Sequence, residues 1–214
     1  TINETWIAEG IYTPGDGIDR DSDLFIEDRN VFKIYGGFPN FGNPTLSDRD
    51  HIIYETILEG DVGVPNDSSD NIIIMLEAEN IEHFILDGVT IQNAYTEFGG
   101  VPTTFFHDID SINIFNCTFK NNSQSALYVD FYDFFELSNS KFENNYGETG
   151  TALTSATASG TTHIHKSHFL DNNAYTEGLF GQGGGAILHS GGNLILTQNT
   201  FDNNTAIDAF GAPS

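Results

Sequence analysis

The chain has 214 residues, one cysteine and a formal net charge of −24, from 31 Asp and Glu against 7 Lys and Arg. That length allows a sizeable core in one domain, and the charge repels phosphate backbones and anionic lipid, so nucleic acid is excluded as an expected partner. The single Cys117 excludes an internal disulfide, and no apolar run approaches the ~18 residues of a membrane span.

Residues 1–80 predict irregular β structure. Strand-like runs at Thr5–Ala8, Leu24–Ile26, Val31–Tyr35 and Glu55–Leu58 are separated by long loops rich in Gly, Pro, Asp and Asn. Between the first two lies an acidic loop in which Asp19, Asp21 and Asp23 alternate. Carboxylates so spaced in a glycine-bearing turn can converge on Ca²⁺, which takes six to eight oxygens, although the Gly and Glu that complete an EF-hand loop are missing. The apolar run Asn71–Leu76 predicts a strand covered on both sides, followed by a short turn at Glu77–Asn80.

From residue 81 the sequence repeats itself. Ser111–Asn122 (SINIFNCTFKNN) returns at Phe134–Asn145, Thr161–Asn172 and Asn193–Asn204, with a partial earlier copy at His83–Ala94. Aligned on the anchors Ile91, Phe119, Phe142, Phe169 and Phe201, the fifth preceding residues are Leu86, Ile114, Leu137, Ile164 and Leu196. The second preceding residues are Val89, Cys117, Ser140, Ser167 and Asn199, small enough for a tight inward corner. A third strand follows at Ala126–Val129, Thr151–Leu153 and Ala186–Leu188. The anchors recur every 23 to 32 residues with no 3.6-residue periodicity. Three short strands per repeat predict an all-β fold, a right-handed single-stranded parallel β-helix of about six or seven coils in one domain, with residues 1–80 forming irregular first coils.

The four Phe-x-x-Asn endings and Gly184-Gly185-Ala186-Ile187, a GGAI, resemble the repeats of the chlamydial polymorphic outer membrane proteins. That resemblance covers about residues 81–210. It implies a surface-exposed right-handed β-helix acting in adhesion, although the family's autotransporter barrel has no counterpart here. Trp6–Pro14, Ile34–Phe38, Leu46–Asp50 and Thr56–Asp61 resemble the opening coils of large secreted β-helix proteins of Bacteroidota-type bacteria. Both resemblances imply a secreted or bacterial cell-surface protein. A start at Thr1, and only Thr205–Ser214 after the last repeat, imply a piece of a longer protein with flanking domains or neighbouring chains at the solenoid ends.

Two candidate sites follow from the register of the repeats. Length variation falls at one corner of the units, after the Asn pairs, in the insertions Tyr95–Phe106, Tyr146–Gly150 and Ala174–Gly183, which carry Tyr95, Phe98, Phe105, Phe106, Tyr146, Tyr175, Leu179 and Phe180. Insertions on one edge of a solenoid often line the binding face. Aromatics there suit sugar-ring stacking or a protein partner, or else fold back to cap the corner. The Asn residues themselves are expected to form a turn ladder. Stacking also sets Glu136 one coil from His163, with His165 on the same outward strand face and His168 nearby. These residue types serve general acid/base catalysis or a transition-metal site.

A polysaccharide lyase would need an Arg or Lys base beside calcium-binding carboxylates, and the regular coils hold only Lys120, Lys141 and Lys166. The favoured functional expectation is therefore a non-catalytic module, an adhesin-like stalk or a glycan- or protein-binding surface. A lyase or glycoside hydrolase acting in the lateral groove is the alternative.

Overall fold

The computed structural model describes residues 2–15, 18–97, 101–147, 152–176 and 184–208. Every strand pairing among them is parallel, and each coil lays its strands on those of the coil before. One face stacks Ile2–Ala8, Leu24–Phe38, Leu76–Asp87, Thr104–Phe115, Phe134–Ser138, Thr161–His165 and Asn193–Thr197, in that order. A second stacks Gly10–Tyr12, Thr56–Glu59, Val89–Gln92, Thr118–Lys120, Lys141–Glu143, His168–Leu170 and Thr200–Asp202. On the third face Thr104–Phe115 pairs with Leu127–Asp130, which pairs with Leu153–Ala156 and then Ile187–Ser190. Such stacking is a parallel β-helix, in which each coil covers only its neighbours.

The expected inward stack is present: Ile34, Leu86, Ile114, Leu137, Ile164 and Leu196 are register partners across six coils. Leu86, Ile114, Leu137 and Ile164 are fully buried, whereas Leu196, in the last described coil, is 44% exposed. The anchors form a second column. Rings of Phe119, Phe142, Phe169 and Phe201 lie nearly parallel, with centroids 4.7, 5.0 and 5.1 Å apart. That spacing is the distance between adjacent strands, so each ring rides directly over the next.

The corners explain the Phe-x-x-Asn motif. The residue before the motif Asn takes a left-handed conformation at Asn121, Asn144, Asp171 and Asn203, with φ between 54 and 56°. Asn and Asp tolerate that region because their short side chains bond locally. The motif Asn turns inward: Nδ2 of Asn122, Asn145, Asn172 and Asn204 donates to the carbonyl of Ile91, Phe119, Phe142 and Phe169, one coil earlier. Its Oδ1 accepts the backbone N–H of Ala94, Asn122, Asn145 and Asn172 in the same order. The anchor and the asparagine thus meet across coils, not within one. In the third regular coil the working pair is Asp171/Asn172 rather than Asn172/Asn173, because the turn begins two residues after Phe169. A smaller ladder at the preceding corner runs from Cys117 N to Ser140 Oγ, Ser140 N to Ser167 Oγ and Ser167 N to Asn199 Oδ1.

Four expectations change. Asn71–Met75 is not a strand but a crossing segment, whose amides bond to Gly60, Arg20 and Thr103 carbonyls while Ile72 and Met75 fill the core. Glu77–Asn80 is not a turn; it lies inside the continuous strand Leu76–Asp87, which rounds the corner on a left-handed Asn80 (φ 54°). Phe105 and Phe106 belong to the strand Thr104–Phe115, and Phe106 is fully buried against Phe84, not displayed at the corner. Finally, the stretches after the Asn pairs contribute a short extra sheet, Tyr146–Gly147, Asn173–Thr176 and Thr205–Asp208. The GGAI glycine Gly185 packs so closely beneath this sheet that a Cβ there would lie 2.3 Å from the Thr205 carbonyl oxygen.

The segment between Phe38 and Thr56 loops out at the other corner and is tied back by Arg49. Its guanidinium grips the Asp87 carboxylate with two contacts of 2.6 and 2.7 Å and lies over the Tyr35 ring. Asn116 donates to the same carboxylate at 2.8 Å, so the loop is fixed to two later coils.

Candidate functional site

At the corner where the extra sheet begins, Tyr95 and Tyr146 stand 6.3 Å apart, centroid to centroid, two coils apart with Ser123 in the coil between. Ser123, in the turn between them, bridges to Tyr146 and holds Thr96 N through its hydroxyl at 2.7 Å. Tyr175 follows on the next coil, in the strand Asn173–Thr176. Tyr146 and Tyr175 are 39% and 38% exposed, so their rings are half open to solvent. Partial burial and the neighbouring Tyr95 and Tyr175 push the Tyr146 phenol up to about 12, which keeps it a hydrogen-bond donor at ordinary pH.

Below the rings is a cavity of about 170 Å³ lined by Asp61, Asn66, Ser68, Asn71, Asn93, Tyr95, Asn121 and Tyr146. The irregular coil supplies its far wall. Asp61 accepts the Asn66 amide with both carboxylate oxygens, at 3.1 and 3.0 Å, which fixes the short loop between these two lining residues. Asn71 is 6% exposed and donates from Nδ2 to the Asn93 carbonyl at 2.7 Å. Its Oδ1 is buried without a partner. The cavity is smaller than the roughly 300–1,000 Å³ of pockets that engulf a ligand, so it accommodates one unit of something longer. Neither Asp61 nor Asn71 carries a sequence signal for this role; both precede the regular repeats and reach the site only through the coil path.

The outward first face holds the second group. Glu136 and His163 are direct register partners, as their repeat positions require. His165 Nε2 lies 3.0 Å from Glu136 Oε1, and the imidazoles of His163 and His165 stack at 4.8 Å with 26° between their planes. His163 Nε2 is 3.3 Å from Thr197 Oγ1 in the following coil. One ligand atom from each of Glu136, His163 and His165 lies within 4.8 Å of the others. Among the described residues no other group of three His, Cys, Asp or Glu side chains is so gathered. His168 sits around the corner in the second face, paired with Lys141 and Thr200.

Asp19, Asp21 and Asp23 are not such a group: Asp19 Oδ1 accepts the Asp21 backbone N–H at 3.1 Å, as in a local turn. Phe98, Leu179 and Phe180 lie outside the described residues. Cys117 is buried in the inward corner with its thiol against the Phe115 carbonyl at 3.1 Å; burial raises its pKa to about 12, which removes it as a nucleophile. Among the described residues no helix is long and apolar enough to cross a membrane.

Comparison with the curated proteins and with the solved structures found no match. The model of the right handed beta helix region matches residues 71–212, the stretch that contains the regular coils, the Asn ladder and most of both sites. With that match over more than half its length and parallel coils stacked throughout, the chain belongs to the right-handed β-helix family.

Proposed function

We propose that the chain is a secreted or cell-surface, non-catalytic β-helix module whose corner groove binds a neutral glycan. The observation that carries this reading is the groove itself, with Tyr95 and Tyr146 as ring platforms beside a polar cavity lined by Asp61, Asn71, Asn93 and Asn121. Aromatic faces stack on the apolar side of a sugar ring, while Asn, Asp and Ser groups exchange hydrogen bonds with its hydroxyls. The Asp61 carboxylate in the wall and the net charge of −24 disfavour an anionic glycan. The adhesin-like setting rests on the resemblance of the Phe-x-x-Asn and GGAI units to polymorphic outer membrane protein repeats.

Three of the basic side chains are already engaged. Arg49 is held by Asp87, Arg20 donates to the carbonyls of Ser69 and Tyr95, and Lys141 pairs with Glu143 at 2.7 Å. A second reading, polysaccharide cleavage on the lateral face, is favoured by one observation, the contact between Glu136 and His165. The test separates the two. The protein is titrated with a panel of neutral and acidic oligosaccharides by calorimetry, and the mixtures are assayed for new reducing or unsaturated ends. Binding of neutral glycans, weakened at least tenfold by Tyr146→Ala and by Asn71→Ala with no new ends, is the expected result. New ends that disappear in Glu136→Gln would install the enzyme instead, and no binding by any panel member sinks the glycan reading.

A further inference from the structure

We propose that Glu136, His163 and His165 bind one divalent ion of the zinc class, which links two successive coils across the outward first face. The geometry follows from the fold. Side chains two apart on a strand point the same way, so His163 and His165 share the outer surface. Parallel pairing then sets Glu136, from the preceding coil, directly beside His163 and within 3.0 Å of His165. All three side chains are partly buried, and the His165 and Glu136 side chains are only 23% and 25% exposed, so neighbouring groups already restrict them.

Two imidazoles and one carboxylate are the donor set zinc takes, at about 2.0–2.2 Å from each donor. Donors so arranged around a tetrahedral ion are ~3.4 Å apart. The His165–Glu136 contact is already that short, and the remaining pairs lie within 4.8 Å, so rotation of the outer imidazole closes the set without moving the backbone. Ca²⁺ and Mg²⁺, which prefer all-oxygen shells, fit this set poorly. Thr197 Oγ1, 3.3 Å from His163 Nε2, flanks the fourth position, which stays open to water or to an oxygen of an incoming partner. The negative field of the chain favours any cation at its surface, but only a site with two imidazoles selects zinc over calcium. The site lies on a different face from the tyrosine groove, so it stands or falls independently of glycan binding.

The full chain, freed of metal with chelator, is titrated with ZnCl₂ by calorimetry in the presence of millimolar Ca²⁺ and Mg²⁺. Co²⁺ is added in parallel and its visible absorption recorded. Expected are one saturable zinc site per chain, a tetrahedral Co²⁺ spectrum, and a zinc-dependent rise in Tm. His163→Ala/His165→Ala should lose the spectrum and weaken zinc at least a hundredfold, and Glu136→Gln should weaken it about tenfold. His83→Ala, which removes an imidazole contacting Asn113 two coils earlier, should leave the site intact. These side chains face outward, so circular dichroism is expected to report folded variants. Zinc affinity unchanged in the double variant, zinc lost equally on His83→Ala, or no saturable uptake by the wild type would each overturn the proposal.

Discussion

Replacing Asn145 by Ala tests whether the cross-coil asparagine ladder is a principal source of stability. Asn145 is fully buried, accepts the Asn122 amide at 3.0 Å, and donates to the Phe119 carbonyl at 3.0 Å and to Asn172 Oδ1 at 2.9 Å. Alanine leaves the Asn122 N–H and the Phe119 carbonyl without these partners in a place water does not reach. Each such orphan costs about 1–3 kcal/mol, so the expected loss is about 2–6 kcal/mol. Its neighbour Asn144 supplies the left-handed turn (φ 54°) and no rung of that ladder. Asn144→Ala should cost roughly 1 kcal/mol through backbone strain, and Asn144→Gly close to nothing. Equilibrium urea unfolding followed by circular dichroism measures all three, provided the slope against denaturant is unchanged, since a solenoid can unfold in parts. If Asn145→Ala falls within about 0.5 kcal/mol of Asn144→Gly, the ladder does not carry the stability argued for it.

The aromatic column gives a second comparison: Phe142→Ala, buried between two rings, should cost about 3–5 kcal/mol by the same measurement. Phe201→Ala, 47% exposed and stacked on Phe169, should cost less than half as much, and equal losses would refute the stacked-core account. Burial, together with the Asp23 and Glu79 carboxylates, raises the pKa of Glu77 above its ordinary value. A raised acid binds its proton in the folded chain before the unfolded one, so this group favours folding below the ordinary carboxylate range, an advantage lost as pH rises through the raised value. Glu77→Gln should therefore raise Tm at pH 7 and shrink the gain seen on acidifying to about pH 5; a lower Tm at pH 7 would contradict it. Cys117 should resist iodoacetamide in the native chain and react fully in denaturant, as mass spectrometry reads directly; native-state labelling on the minute scale would show that the inward corner opens.

What the sequence by itself determined was whatever the repeat imposes. In a parallel stack, equivalent positions of successive repeats become register partners, so aligning five copies already named the column from Leu86 to Leu196, the Phe stack and the neighbours Glu136 and His163. Period-2 alternation then divided inward from outward, and set His163 beside His165. Tertiary structure decided whatever lies between repeats or comes from elsewhere in the chain. Asn80 reads as a turn residue, yet it sits inside one long strand, as the left-handed Asp108 does one coil later, because a single left-handed residue bends a strand without ending its ladder. Phe106 has the composition of a displayed aromatic but is buried, since the preceding coil places Phe84 beneath it. The run Ile72–Met75 is apolar because it crosses the core between faces, and its amides find carbonyls in three different coils rather than a strand partner. The groove was half legible: Tyr95 and Tyr146 follow from the corner insertions, whereas Asp61 and Asn71 arrive from an irregular coil with no repeat to align. Only the folded path brings that coil under the tyrosines, because its position is set by burial of Ile72 and Met75 and not by any local pattern around the polar residues themselves.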